Sequence, residues 1–129
     1  MYELKTYYNG VTKTLGYFIS EADAFASVTD EENQWVEEST FPTTDVVFQL
    51  LYDDKLYSSF ETAVPLGEFI SYDEAKLAFT KERKRRGLKL MEKTVASSFE
   101  EDIDYAGETF VRENERLWIA RYEVQGAGL

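Results

Sequence analysis

The sequence predicts an α+β fold in a single domain, with a mostly antiparallel sheet and two helices on one face of it. The first observation is a repeat: Gly16-Tyr17-Phe18-Ile19-Ser20 is followed 51 positions later by Gly67-Glu68-Phe69-Ile70-Ser71. Residues 16–31 and 67–82 are identical at seven of sixteen positions, Ala24 and Ala75 included. Such self-similarity indicates one supersecondary unit used twice. The second observation is that β-prone runs separated by turn residues precede each copy.

The chain is therefore expected to contain two strand-strand-helix-strand units, 1–44 and 45–95, and a C-terminal hairpin within 96–125. The first unit begins with β-prone runs at 2–8 and 11–19. Asn9-Gly10 between them favours the type I′ turn of a hairpin, in which both central residues have positive φ.

Ser20 is expected to cap the first helix, with acids in the first turn where they complement the helix dipole. The helix is expected to end at 30–33, which would place three acids at its C-terminus, an unfavourable position. Because local rules are often broken at functional sites, this placement favours a working surface. A short strand is expected at 35–39. The buried face of the helix is expected to contain Ala22, Phe25, Ala26 and Thr29.

The second unit is expected to form a strand at 46–52, a turn at 53–55 and a returning strand at 56–60. Pro65 then indicates a break or an edge strand.

Ser71, with Glu74 three positions later, predicts a capping box at the start of the second helix. The helix is expected to end near Arg86, with Gly87 in the left-handed conformation, and a strand should follow at 88–95. Its core positions are expected to be Tyr72, Ala75, Ala78 and Phe79.

The last hairpin is expected to pair strands at 108–112 and 116–124. On its second strand the inward-facing residues are expected to be Trp118, Ala120, Tyr122 and Val124.

Composition excludes several classes of function. The 129 residues are 43% apolar, enough for one domain with a core, and contain neither Cys nor His. Disulfides, thiolate or imidazole metal sites and a Ser-His-Asp triad are therefore excluded. No run approaches the ~18 apolar residues of a membrane span, and the N-terminus lacks the features of a signal peptide. A cytoplasmic, non-enzymatic protein without cofactor or metal is expected.

The net charge of −11 is unevenly distributed. Residues 81–93 hold seven bases and two acids, so the remainder of the chain carries −16. Charge of that sign repels nucleic acid and anionic membranes and attracts basic partners. We interpret the basic run 81–86 as a solvated last helical turn that stabilises the helix dipole, with a nucleic-acid patch as the alternative.

Two acidic groups are the candidate partner-binding residues, with plain solubilising charge as the alternative. Their spacing does not match a calcium loop. Catalysis by carboxylates and a metal ion, for which Asp53 and Asp54 are further candidates, is a weaker hypothesis. The candidate residues are Asp30, Glu31, Glu32, Glu37 and Glu38 in the first group, and Glu100, Glu101, Asp102 and Asp104 in the second.

In composition the chain resembles phage-encoded anti-restriction and anti-CRISPR proteins, many of which are small, strongly acidic single domains. The resemblance implies a non-enzymatic inhibitor whose carboxylates occupy a basic, nucleic-acid-binding surface of a partner protein in the host cytoplasm. No direct contact with nucleic acid or membrane is expected. The second hypothesis is a structural or adaptor module, such as a homodimer joined through sheet edges and exposed Tyr. A carboxylate-based, metal-dependent enzyme is the third.

Overall fold

The computed structural model describes residues 1–8, 10–53, 63–90, 110–112 and 115–126. The strands within these ranges form a three-stranded sheet in the order β2-β1-β3 and a five-stranded sheet in the order β5-β4-β8-β7-β6. The α+β class is confirmed, but the strands lie in two sheets where the sequence predicted one. Along the chain the elements are β1 (Tyr2–Tyr8), β2 (Val11–Phe18), α1 (Glu21–Ala26), β3 (Gln34–Glu38), β4 (Val46–Asp53), β5 (Val64–Phe69), α2 (Tyr72–Arg86), β6 (Lys89–Leu90), β7 (Phe110–Arg112) and β8 (Glu115–Glu123).

The chain divides into two compact units. The first unit comprises Met1–Val47 with Tyr122–Leu129, and the second comprises Phe48–Arg121. Leu4, Phe18 and Ala24 form a core beneath α1 in the first unit. In the second unit a larger core lies beneath α2, and its buried members are Leu50, Ala75, Phe79, Leu88, Leu117 and Ile119. The assignment of both units to one domain stays a prediction.

The repeat is confirmed where each unit passes from strand to helix. Ser20 and Ser71 are both N-caps, and each side chain accepts a hydrogen bond from the backbone N–H three residues later, at 3.3 and 3.5 Å. Ala24 and Ala75, at matching positions in the two helices, are completely buried. The two units therefore start their helices with the same local interactions.

A β-bulge also recurs at the same place in both units. Leu15 is the extra residue where the β1–β2 register shifts, and Leu66, 51 positions later, is the extra residue where the β4–β5 register shifts. Such a bulge bends the strand and increases its twist. The glycine after each bulge lies close to the phenylalanine two residues on. A Cβ on Gly67 would be 2.9 Å from the Phe69 ring, and one on Gly16 would be 3.2 Å from the Phe18 ring.

The two units differ in the strand pairing beyond the helix. In the first unit β3 pairs antiparallel with β1. In the second unit β8 lies beside β4, and β6 pairs with β7 instead. The predicted C-terminal hairpin is confirmed as the antiparallel pair β7–β8. This hairpin thus separates β4 from β6.

The first hairpin is confirmed, because β1 and β2 pair up to Tyr8 opposite Val11 and Gly10 has a φ of +79°. Asn9 lies outside the described residues. Pro65 is in β5, which among the described strands lies at the edge of its sheet, as one of its two interpretations predicted. The predicted returning strand at 56–60 lies outside the described residues, and among the described strands β4 pairs with β5 on one side and with β8 on the other.

The expected end of the first helix at 30–33 is wrong. The helix ends at Ala26, and the N–H groups of Ser27 and Val28 donate to carbonyls three residues back, the tighter hydrogen-bonding pattern of a turn. So short a helix buries only Ala24. The four residues expected on its buried face are all exposed: Ala22, Phe25, Ala26 and Thr29.

The second helix is close to its prediction. It ends at Arg86, Gly87 has a φ of +68°, and the N–H of Leu88 donates to the Arg83 carbonyl at 3.1 Å. Of its expected core positions Ala75 and Phe79 are buried and Ala78 is half-buried, but Tyr72 is exposed.

The last strand is buried on both faces, although the sequence predicted only one. Leu117 and Ile119 belong to the core beneath α2, while Trp118 and Ala120 on the opposite face are equally buried. β8 is also an interior strand of its sheet, with β4 on one side and β7 on the other.

Candidate partner-binding surface

The first unit has a surface of almost uniformly negative charge. Residues 1–47 and 122–129 contain ten acidic and two basic residues. Glu3 is buried and accepts a hydrogen bond from the Thr14 hydroxyl at 3.0 Å. The other nine acids are all exposed: Glu21, Asp23, Asp30, Glu31, Glu32, Glu37, Glu38, Asp45 and Glu123.

Neither basic residue of this unit compensates for these acids at the surface. Lys13 is only 4% exposed. The Lys5 ammonium lies 3.5 Å from a carboxylate oxygen of Glu37 and is itself mostly covered. A basic partner approaching the first unit would therefore meet negative charge with little competition from the unit's own cations.

The acids at 30–32 lie in a turn of their own. The Asp30 carboxylate accepts hydrogen bonds from the Glu32 N–H at 3.2 Å and from the Asn33 side-chain amide at 2.9 Å. The Asn33 amide is the main reason that the pKa of Asp30 lies below its usual value. The Gln34 side chain closes the turn by accepting from the Thr29 N–H at 2.8 Å. Asp30 thus stabilises a turn, and these acids are not misplaced charges at a helix end.

All five predicted acids of the first group are exposed, but they do not share one face. The Trp35 indole N–H donates to Glu37 at 2.8 Å, which places both side chains on the same face of β3. Val36 packs in the core beneath α1, so the alternation of side chains along a strand directs Glu38 to the α1 face and Glu37 to the opposite face. Trp35 is the main cause, and Lys5 a lesser one, of a lowered pKa for Glu37.

β3 is also an edge strand. Among the described residues it has a neighbouring strand on one side only, which is β1. The Tyr7 N–H donates to the Asn33 carbonyl at 2.9 Å, and the Ser39 N–H donates to the Met1 carbonyl at 2.8 Å. Along an antiparallel strand every second residue directs its backbone N–H and C=O to the neighbouring strand. Residues 33 and 39 bond β1, so the backbone groups of 35 and 37 also face β1, and those of 34, 36 and 38 point away from it.

The second acidic group, Glu100, Glu101, Asp102 and Asp104, lies outside the described residues. Asp54 does too, whereas Asp53 is described and is buried. Within the described part of the chain no three acidic side chains are grouped so that they could hold a metal ion.

The basic end of α2 is partly built into the second unit. Glu82 accepts from Arg85 at 2.9 Å and from Arg86 at 2.8 Å, and these contacts, that of Arg85 first, lower the pKa of Glu82. The Arg86 guanidinium lies 3.8 Å above the Tyr52 ring, and the Tyr52 hydroxyl donates to Glu115. No pattern in the sequence predicts these contacts, because Tyr52 and Arg86 are far apart along the chain.

Exposure therefore differs within the basic run. Lys84 and Arg85 are exposed, as predicted. Arg83 and Arg86 are half-buried, so the prediction that the whole basic turn is solvated is wrong for these two residues.

The fold and this surface define an acidic α+β protein with two related units. No protein-family model, curated protein or solved structure matches the chain. None of the described helices is long and apolar enough to cross a membrane.

Proposed function

We propose that this protein is a non-enzymatic inhibitor that binds a basic, nucleic-acid-binding surface of another protein through the acidic surface of its first unit. The observation that supports the proposal is the charge of that unit: nine acids are exposed and neither base is. Duplex DNA presents one negative charge per ~1.7 Å of its axis, and lysines and arginines that bind such a row of phosphates also attract exposed carboxylates.

The inhibition would be competitive and would need no chemical step. Attraction between the acidic unit and a basic groove speeds diffusional encounter, and the bound protein then excludes nucleic acid from the groove. Because the attraction acts over distances comparable to the Debye length, of about 10 Å at 0.1 M salt, the association rate should fall steeply as salt is added.

The test is competition with DNA. A panel of purified restriction nucleases and CRISPR nuclease complexes is loaded with fluorescent duplex, and the protein is titrated in while anisotropy is followed at two salt concentrations. The proposal expects displacement of the duplex from at least one member of the panel, weaker at the higher salt. Failure to displace DNA from any member, or direct binding of the protein to the duplex, would contradict it.

A charge-reversal variant makes the test specific to this surface. Glu31, Glu32 and Glu38 are exposed and have no side-chain hydrogen bond or ion pair within the described part of the chain, unlike Glu37. The variant E31K/E32K/E38K should associate more slowly with the partner. The control K84Q/R85Q alters two exposed cations of the other unit, and its competition should match that of the parent.

An adaptor module is the second candidate, favoured by exposed apolar residues in a strand that lies at the edge of its sheet as far as the chain is described. Val64 and Leu66 in β5 are each 37% exposed. Exposed apolar edges can pair with another chain. Sedimentation equilibrium separates the candidates, because a homodimer that persists at high salt and binds no member of the panel would favour the adaptor.

A further inference from the structure

We propose that the outer edge of β3 accepts an extended, Lys- or Arg-rich segment of the partner as a fourth strand. This inference rests on the proposed function and gives its contact a definite geometry. Its first support is the backbone. The N–H and C=O groups of Val36 and Glu38 point away from β1, and among the described residues no strand lies there to receive them. Main-chain bonding to such an edge supplies affinity for an extended peptide.

The side chains of β3 determine which segment fits. Glu37 is exposed on one face of the strand and Glu38 on the other. An added strand with a basic residue on each face would therefore place a cation opposite an acid on both sides of the sheet. Glu31 and Glu32, in the turn that leads into β3, extend the negative charge beyond the start of the strand.

Trp35 gives this edge an apolar component. Its indole is half-buried, and its N–H is already bonded to Glu37, which fixes ring and carboxylate side by side. The aliphatic part of a lysine side chain can cover such a ring while its ammonium group stays near the carboxylate. An extended basic segment is thus a better match than a cation presented on a globular surface.

A second copy of this chain is a poor occupant of the same edge. Two β3 strands pairing with one another would bring the acids of both copies together, and like charges opposite one another oppose pairing. Charged side chains on an edge strand are a recognised protection against self-association. The acids of β3 therefore disfavour pairing with the β3 strand of a second copy and favour pairing with a basic strand.

The test uses a defined probe, the blocked peptide (Lys-Lys-Thr-Thr)3, which as a strand carries lysines on both of its faces. The control peptide has the same sequence, with the D configuration at every second residue. Both carry the same charge, but only the first forms a regular strand. Amide hydrogen exchange is measured by NMR on the full chain. In the free protein, Trp35 and Glu37 should exchange slowly, and Val36 and Glu38 rapidly. The all-L peptide should slow exchange at Val36 and Glu38 by at least tenfold, and the control peptide should not.

A matched pair of variants tests the backbone contribution. E38Q removes the charge and keeps the N–H, whereas E38P removes both. Proline suits an edge strand where its nitrogen points away from the neighbouring strand. The dissociation constant for the all-L peptide should rise at least tenfold more in E38P than in E38Q. Thermal unfolding establishes whether E38P is folded; if it is not, the exchange pattern of the parent decides.

The outcomes separate this inference from the function on which it rests. If both peptides bind equally, in a salt-dependent manner and without protecting Val36 and Glu38, strand addition is overturned and binding by charge alone stands. If neither peptide binds at about 50 mM salt, both proposals are rejected. If Val36 and Glu38 are already protected in the free protein and sedimentation shows a dimer, a second copy covers the edge and the inference is overturned.

Discussion

A single glycine in each unit provides the space that the motif Gly-x-Phe requires. The Phe69 ring packs against the second core, and it lies only 2.9 Å from the position that a Cβ on Gly67 would take. The same arrangement in the first unit is looser, because a Cβ on Gly16 would lie 3.2 Å from the Phe18 ring. A methyl group on residue 67 would force the Phe69 ring or the backbone to move, whereas one on residue 16 would require a smaller shift. The two substitutions should therefore differ in their cost to stability.

Gly67→Ala should lower the free energy of unfolding by about 1–3 kcal/mol, because the added methyl group overpacks the ring of Phe69. Gly16→Ala should cost less, since its Phe18 neighbour is farther away. Urea unfolding of the two variants and the parent measures both values. Equal stability of parent and G67A, or a larger loss in G16A, would contradict this account of the motif.

Glu82 is a second residue whose environment has a measurable consequence. Its pKa in the folded protein lies below the usual 4.5, chiefly because Arg85 donates to its carboxylate. A lowered pKa means that the folded state prefers the ionised form. The resulting stabilisation is therefore present above the unfolded-state pKa and is lost as the pH falls through the folded-state value.

Glu82→Gln should accordingly destabilise the protein by about 0.5–1 kcal/mol at pH 7 and by less near pH 3. Thermal unfolding of parent and variant across this range gives the comparison. Asp30 and Glu37 retain their own lowered pKa values in the variant, so part of the acid sensitivity should persist. A difference between parent and variant that grows as the pH falls has the wrong sign and would refute the assignment.

At the scale of the elements, α2 is fixed at its two ends by different means. The N-terminus depends on a local cap from Ser71. The C-terminus combines the left-handed Gly87 with the contact of Arg86 on Tyr52 in β4, which links the helix to the sheet. The Ser71 cap joins residues three positions apart, whereas the contact of Arg86 with Tyr52 joins a helix to a strand.

Ser71→Ala should cost about 1 kcal/mol, because the N–H of Glu74 loses its partner at the start of the helix. Chemical denaturation provides the value, and Ser71→Asp is the control, since aspartate caps a helix equally well. A loss in S71D as large as that in S71A would show that the cap is not the cause.

Arg86→Gln should destabilise the protein by about 1–2 kcal/mol, because it removes both the contact with the Tyr52 ring and the ion pair with Glu82. Lys84→Gln, in the same turn but exposed, should change stability by no more than about 0.5 kcal/mol. Thermal unfolding of both variants compares them under one condition. Equal effects would mean that only the helix dipole is involved.

At the scale of the whole molecule, charge is concentrated in one unit. Residues 1–47 and 122–129 account for −8 of the net −11. Such an excess favours basic partners but also destabilises the compact state through self-repulsion. The cost should be visible in the free protein, without any partner.

Raising NaCl from about 0.01 to 0.5 M should therefore raise the melting temperature of the parent. The added salt shortens the Debye length from ~30 Å to a few ångström, which weakens the repulsion among the acids. The E31K/E32K/E38K variant, whose net charge is −5, should start at an equal or higher melting temperature and respond less to salt. Scanning calorimetry at the two salt concentrations measures this. A variant that responds to salt as strongly as the parent would show that these acids do not repel one another in the folded state.

The sequence by itself determined the features that depend on residues a few positions apart. The capping serines, the left-handed Gly87 and the first hairpin all follow from the conformational preferences and hydrogen bonds of short segments. Pro65 narrowed its position to a break or an edge strand. The charge of the candidate surface could also be predicted, since it is a property of composition. The alternation of Glu37 and Glu38 across β3 could have been deduced from the strand prediction.

Only the tertiary structure decided which segments meet. The first helix ends early because Gln34, in the next strand, returns to bond Thr29 and closes a separate turn around Asp30. β8 enters its sheet beside β4 and is buried on both faces, which no local pattern specifies. Arg86 likewise contacts Tyr52 across a long sequence separation. These choices depend on competition among all strands and side chains for burial and pairing, and that competition is resolved only when the whole chain packs.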